Sequence, residues 1–144
     1  LAKWLNEASF FVTNFRPVPL TEHFKVGDTV YNSEKEVVRI MKSTPDDPDG
    51  VVTLCDEVID GGFSVLVFGS SKRQCETTAT YLAKQVRSRT DEETVAARQQ
   101  MMQQLKGSPA GVDPVLEETV PKGVAYHHAG LTMEEREVVE RGFR

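Results

Sequence analysis

Two segments of the sequence place small, polar and basic residues directly before a helical pattern, where phosphate chemistry is possible. In the first, Gly69-Ser70-Ser71-Lys72-Arg73 follows an apolar run; in the second, Tyr126-His127-His128-Ala129-Gly130-Leu131 precedes Thr132. The first turn of a helix leaves backbone N–H groups unsatisfied and carries a partial positive charge, so an anion can bind there. Both segments are therefore candidate phosphate-binding sites.

Capping signals predict where the two helices begin. Ser71 is followed three residues later by Gln74, and Thr132 by Glu135, which is the capping-box pattern. A capped helix start gives the preceding loop a defined shape. The alternative for each segment is a capped helix whose N-terminus binds only water, with Lys72 and Arg73 as solvated cations.

The adjacent histidines do not predict a metal site. Neighbouring residues of a strand point to opposite faces, so His127 and His128 cannot both bind one ion while the strand stays regular. The third histidine is His23, and neither cysteine lies near the pair in sequence. We predict no metal ligands in this chain.

Composition indicates one ordinary globular domain of 144 residues with a net charge of −5. No apolar run approaches the length of a membrane span. Cys55 and Cys75 fall in helical patterns, which favours free thiols in a reducing compartment. The segment Lys72–Arg89 is unusual because it holds five basic residues and one acid, Glu76; a solvated helix face is the alternative interpretation.

The first half of the chain predicts a hairpin and a helix. Strands over Leu20–Val26 and Thr29–Tyr31 would be joined by a type II′ turn at Gly27-Asp28. Pairing about this turn places Phe24 opposite Tyr31 and Val26 opposite Thr29. After a polar loop, Asp47 should cap a helix with Pro48 at its first position, ended by Gly61-Gly62.

The second half alternates strands and helices. Val65-Leu66-Val67-Phe68 and the stretch that starts at Gly123 predict short buried strands, each followed by a helix. Asp91–Lys106 predicts a polar surface helix, and a short capped helix follows near Pro114. The expected fold class is α/β, with a mainly parallel sheet flanked by helices and a β-hairpin near the N-terminus.

Three motifs together resemble superfamily-two DExH helicases. Val65–Glu76 resembles helicase motif IV, with Gly69 where the family more usually has cysteine, and Gly123–Leu131 resembles a nucleic-acid-contacting motif of the second motor lobe. Phe15-Arg16-Pro17-Val18-Pro19-Leu20 resembles the linker between the two lobes. The resemblance implies that residues 1–19 are the end of the first lobe and the linker, and 20–144 a truncated N-terminal part of the second RecA-like lobe.

The resemblance implies part of an ATP-dependent DNA helicase that acts on single-stranded DNA in double-strand break repair, in the nucleus. ATP and Mg²⁺ are expected to bind mainly to residues outside this chain, because it has no G-x-x-x-x-G-K-[ST] phosphate loop and no DExH box. Both chain ends fit a piece of a longer protein, and no catalytic residue is expected within it. The expected nucleic-acid-binding residues are Ser70, Ser71, Lys72, Arg73, His127, His128, Ala129, Gly130 and Leu131.

Two other functions remain open from the residues. One is a related helicase that acts on RNA in surveillance and decay, since no residue is identified that reads a 2′-hydroxyl. The other is a motor-derived interaction module without ATPase activity. A Walker A lysine in the upstream sequence would separate the second alternative from a helicase.

Overall fold

The computed structural model describes residues 9, 11–13, 15–42, 44–109 and 111–143. The chain divides into two compact units, Leu1–Lys42 and Ser43–Arg144. Residues 1–8, part of the segment 1–19 expected to end the first lobe, lie outside the described residues. The predicted division of the chain at residue 20 stays a prediction.

The first unit contains a three-stranded antiparallel sheet in the order β1-β2-β3. Its strands are β1 (His23–Val26), β2 (Thr29–Asn32) and β3 (Val37–Ile40). The predicted hairpin is confirmed: Phe24 pairs with Tyr31 and Val26 with Thr29. In its turn only Gly27 has a positive φ, 57°, as a type II′ turn requires.

Strand β3 was not predicted from the sequence. It pairs with β2 through a register shift between Val30 and Tyr31, which places one extra residue in β3. The Phe24 and Tyr31 rings stack across β1 and β2 with centroids 5.4 Å apart. Cross-strand aromatic stacking of this kind stabilises the hairpin.

The second unit is helical in its regular elements. They are α1 (Val51–Asp60), α2 (Lys72–Gln85), α3 (Glu92–Lys106), α4 (Pro114–Thr119), a 3₁₀ turn (Val120–Lys122) and α5 (Met133–Phe143). The helices predicted near Ser71, Asp91, Pro114 and Thr132 are confirmed. None of the helices in the described ranges is long and apolar enough to cross a membrane.

The start of α1 differs from the prediction. Pro48 is not its first residue, because the helix begins at Val51 after Gly50 in a left-handed conformation. Asp47 nevertheless caps it: the carboxylate accepts the backbone N–H groups of Val52, at 3.1 Å, and Thr53, at 2.9 Å. Asp47 therefore caps the helix from across the turn that precedes Val51, and Pro48 lies in that turn, before the first helical residue.

The main core of this unit joins four helices and the segment before α5. Its buried side chains are Ala79, Leu105, Leu116, Val120, Tyr126, Leu131, Val138 and Val139. Ala79, Leu105, Leu116, Val138 and Val139 come from α2, α3, α4 and α5, whereas Val120 lies in the 3₁₀ turn and Tyr126 and Leu131 precede α5. The core therefore fixes the N-termini of α2 and α5 relative to each other.

A mainly parallel sheet is not present among the described residues, where the only sheet is the antiparallel one. Val65–Phe68 and Val124–His128 are in no strand. The apolar run was expected to be buried, but Leu66 is 63% and Phe68 87% exposed. A strand requires backbone hydrogen bonds to a neighbour, and an apolar sequence alone does not supply one. The α/β class with its hairpin is confirmed; the RecA-like lobe stays a prediction.

Candidate nucleic-acid interface

The N-terminus of α2 is capped as predicted, with one difference. The Ser71 hydroxyl accepts the Gln74 N–H at 3.2 Å. The Gln74 side chain does not return to Ser71 but accepts the N–H of Ser70, at 2.8 Å, and its hydroxyl, at 2.6 Å. Both donors of Ser70 are therefore used within the chain, whereas the N–H groups of Lys72 and Arg73 have no acceptor among the described residues.

The basic segment separates into paired and unpaired cations. Lys84 lies 4.0 Å from Glu118, Arg87 3.0 Å from Asp60 and Arg89 3.3 Å from Asp91. Lys72 and Arg73 are exposed, and no described acidic side chain lies within ion-pair distance of either. The unpaired positive charge of this segment is thus concentrated at the start of α2.

The loop from His127 to Leu131 is closed by its own hydrogen bonds. Gly130 donates its N–H to His128 Nδ1 at 3.0 Å, and Leu131 donates its N–H to the His128 carbonyl at 3.1 Å. Gly130 has no positive φ; a Cβ at this position would lie only 2.8 Å from His128 Cε1. Glycine is therefore required because the imidazole occupies that space.

The start of α5 is occupied by its own glutamate. The predicted capping box is confirmed: Glu135 Oε2 accepts the Thr132 N–H at 2.9 Å, and the Thr132 hydroxyl accepts the Glu135 N–H at 3.2 Å. The other carboxylate oxygen accepts the N–H of Asp113, the residue that caps α4, at 3.1 Å. Glu135 is buried, so this carboxylate closes one part of the helix mouth to an incoming anion.

The two sequence segments meet in space. His128 Nε2 lies 2.9 Å from Glu76 Oε1, which connects the loop to α2. A Cβ at Gly130 would be 3.6 Å from Lys72 Cδ, so the Lys72 side chain runs beside the loop. Lys72 and Glu76 are four residues apart on one helix and therefore lie on the same face. The predicted sites at Ser70–Arg73 and His127–Leu131 thus form one surface.

The histidines point in different directions, as expected for adjacent residues in an extended segment. His127 Nε2 lies 3.0 Å from Glu140 of α5, and its side chain is largely exposed. The His128 side chain is 11% exposed, and its ring is 4.9 Å from that of Tyr126. Burial, followed by the neighbouring Asp113 carboxylate, raises the pKa of the Tyr126 hydroxyl. The described residues contain no cluster of three potential metal ligands.

Two of the nine candidate residues have side chains that are engaged within the chain itself. The side chain of Leu131 is buried in the core, and Ser70 uses its donors on Gln74. The sequence analysis missed Glu76 as part of this surface. Its signal was present, since Glu76 is the one acid within the basic segment Lys72–Arg89.

Proteins similar to this chain come from one group of helicases. The chain is 41% identical over 161 aligned residues to "DNA polymerase theta" of Mus musculus, and 34% over 156 to "Helicase POLQ-like" of Homo sapiens. It is 34% identical over 145 aligned residues to "ATP-dependent DNA helicase Hel308" of Thermoplasma volcanium. The alignments cover 99–100% of this chain but 6%, 14% and 18% of these relatives, respectively. None of the protein-family models searched matches the chain.

These homologues, aligned over 99–100% of the chain, are superfamily-two DExH helicases. Within the class, DNA polymerase theta and the POLQ-like and Hel308 helicases are its homologues at 34–41% identity. The helicase resemblance found in the sequence is confirmed. The chain spans less than a fifth of the length of each of these relatives.

Proposed function

We propose that this chain is the part of an ATP-dependent DNA helicase, of the polymerase theta type, that holds the phosphates of single-stranded DNA. The phosphate contacts come from the N-terminus of α2 and from the adjoining loop His127–Leu131. ATP and Mg²⁺ bind mainly to residues outside this chain, and the whole protein acts in the nucleus in double-strand break repair. DNA is preferred over RNA as the nucleic acid because the names of two relatives specify DNA.

The observation that carries this proposal is the charge at the start of α2. The first turn of a helix favours acids, and α3 and α5 have acids there: Glu92 and Glu93, and Glu134 and Glu135. Helix α2 has no acid in its first turn and begins with Lys72 and Arg73. A cation at this end is unfavourable by roughly 0.3–1 kcal/mol, so an arriving anion would relieve the repulsion.

The available hydrogen-bond donors support contact with backbone phosphates. The N–H groups of Lys72 and Arg73 have no acceptor among the described residues, and the Lys72 side chain extends toward Gly130. At the loop, Gly130 and Leu131 already donate their N–H groups internally. We therefore assign most of the phosphate contact to α2, and the loop borders this contact on one side. Such contacts carry no sequence information.

The test replaces both unpaired cations in a longer protein that contains both motor lobes, with this chain as part of them. Lys72→Ala with Arg73→Ala should weaken single-strand binding to a similar extent for unrelated sequences. The slope of log affinity against log salt should fall by roughly one unit, as expected when one or two phosphate contacts are lost. Binding is measured by fluorescence anisotropy across a salt series.

A matched control removes the same charge from cations that already have partners. Lys84→Ala with Lys106→Ala removes two cations that lie beside Glu118 and Glu117. This control should leave the salt slope near that of the unchanged protein. If both double variants give the same slope, Lys72 and Arg73 are solvated cations on a capped helix and the proposed contact is wrong.

A further inference from the structure

The hydrogen bonds of His128 define its proton position. Gly130 donates its N–H to Nδ1, so that nitrogen carries no hydrogen. The proton of the neutral ring is then on Nε2, 2.9 Å from Glu76 Oε1, to which it is donated. Protonation of Nδ1 would set two N–H groups against each other at Gly130, so this network requires the neutral ring.

The same ring determines the shape of the loop. A side-chain acceptor for the N–H two residues later is the geometry of an Asx turn, with imidazole in place of an amide oxygen. The ring packs beside Tyr126 on one side. On the other side it fills the space that a Cβ of Gly130 would need. A rotation of the imidazole would therefore change the backbone between His128 and Leu131.

We propose that Glu76 is a positioning residue, which acts through His128 to hold the loop Ala129–Leu131 beside Lys72. Glu76 and Lys72 lie on one face of α2. This helix therefore supplies both the phosphate contact and the residue that supports the adjacent loop. This inference rests on the proposed phosphate contact and adds a residue that does not itself touch DNA.

The direction in which DNA binding changes when Glu76 is replaced distinguishes a positioning role from a purely electrostatic one. Glu76 is the acid nearest in sequence to Lys72 and Arg73, so simple removal of its charge would increase the attraction for phosphate. Loss of the His128 acceptor would instead release the loop and weaken binding. Glu76→Gln removes the charge and keeps an acceptor oxygen; Glu76→Ala removes both.

The first measurement is the ¹⁵N spectrum of the imidazoles in the 144-residue chain. His128 should show one neutral tautomer with the proton on Nε2, both in the unchanged chain and in Glu76→Gln. In Glu76→Ala the signals should move toward a mixture of tautomers, while those of His127, which lies beside Glu140, stay unchanged. An unaltered His128 spectrum in Glu76→Ala overturns the proposal.

The second measurement is DNA-stimulated ATP hydrolysis by the protein with both motor lobes. Glu76→Ala should raise the apparent KM for single-stranded DNA about five- to tenfold, as for loss of one hydrogen bond, with kcat little changed. Glu76→Gln should have a KM for single-stranded DNA equal to or below that of the protein that keeps Glu76. If both variants lower KM, Glu76 acts only by its charge and the positioning role is refuted.

A double variant tests whether the effect passes through His128. In His128→Asn the amide oxygen can accept the Gly130 N–H in an ordinary Asx turn, so the loop no longer needs Glu76. In that background Glu76→Ala should cause no further rise in KM. A full additional rise would overturn the proposed route through the imidazole.

The outcomes for Lys72 and Glu76 are distinguishable. If the Lys72 and Arg73 variant lowers the salt slope but Glu76→Ala leaves KM unchanged, the phosphate contact stands and the positioning role fails. If Glu76→Ala alters the His128 tautomer but Lys72 and Arg73 have no effect on the slope, the proposed function fails. The positioning role of Glu76 then fails with it.

Discussion

Replacement of Glu135 by alanine should destabilise the helical unit by about 3 kcal/mol, although the residue lies in the first turn of its helix. Its carboxylate accepts the N–H of Thr132, at 2.9 Å, and that of Asp113, at 3.1 Å, and so joins the starts of α5 and α4. A hydrogen bond to a charged group contributes roughly 1.5–3 kcal/mol, and the lower end applies here because both donors are only half-buried. The Thr132 hydroxyl, also bound to Glu135, can turn to water and adds little.

Urea unfolding of the 144-residue chain, followed by far-UV circular dichroism, measures this loss as a shift of the midpoint at unchanged slope. Glu135→Gln should lose about half as much, since one amide oxygen remains while the NH₂ group faces a donor. Glu134→Ala is the matched control: Glu134 is exposed, and its loss should cost about 0.5 kcal/mol or less. Equal losses for Glu134→Ala and Glu135→Ala would refute the assignment of Glu135 as the link between two helix starts.

Three further predictions concern activity, the loop and acid stability. Residues 1–144 alone should hydrolyse no ATP above background, because they contain no phosphate loop; DNA-stimulated turnover by this chain would contradict the assignment of the ATP site elsewhere. In the two-lobed protein, Gly130→Val should reduce DNA-stimulated ATPase and unwinding while the fold survives, because its Cβ would displace the His128 ring, 2.8 Å away; normal unwinding would leave the loop as only a capped turn. Burial raises the pKa of Asp47, but hydrogen bonds from the N–H groups of Thr53 and Val52 lower it by more. The net shift of this pKa is therefore downward from 3.8. Its stabilisation is therefore present above pH 3.8 and is lost as the pH falls through the lower folded-state pKa. In Asp47→Asn, the melting temperature should fall less on acidification than it does in the chain that keeps Asp47. An identical pH dependence of the melting temperature in the two proteins would contradict this role of Asp47.

The helix starts could be predicted from the sequence because capping is local. Ser71 and Gln74 are three residues apart, as are Thr132 and Glu135, and each pair makes the expected hydrogen bond between hydroxyl and backbone N–H. The hairpin was equally accessible, since the glycine that allows its turn lies between the two strands it joins. In these elements the interacting groups are close neighbours in the chain.

The features that required the tertiary structure join residues that are far apart in sequence. Glu76 and His128 are separated by 52 positions, and no spacing rule relates them. Whether a cation is paired depends on acids of other elements, as for Lys84 beside Glu118, and this pairing left Lys72 and Arg73 as the unpaired ones of the segment. The apolar run Val65–Phe68 indicated a strand, but pairing depends on a neighbouring strand that a local pattern cannot specify. The sequence by itself determined local hydrogen bonds and apolar periodicity, whereas packing decided which distant charges met, because side-chain interactions act over a few ångströms of space regardless of separation along the chain.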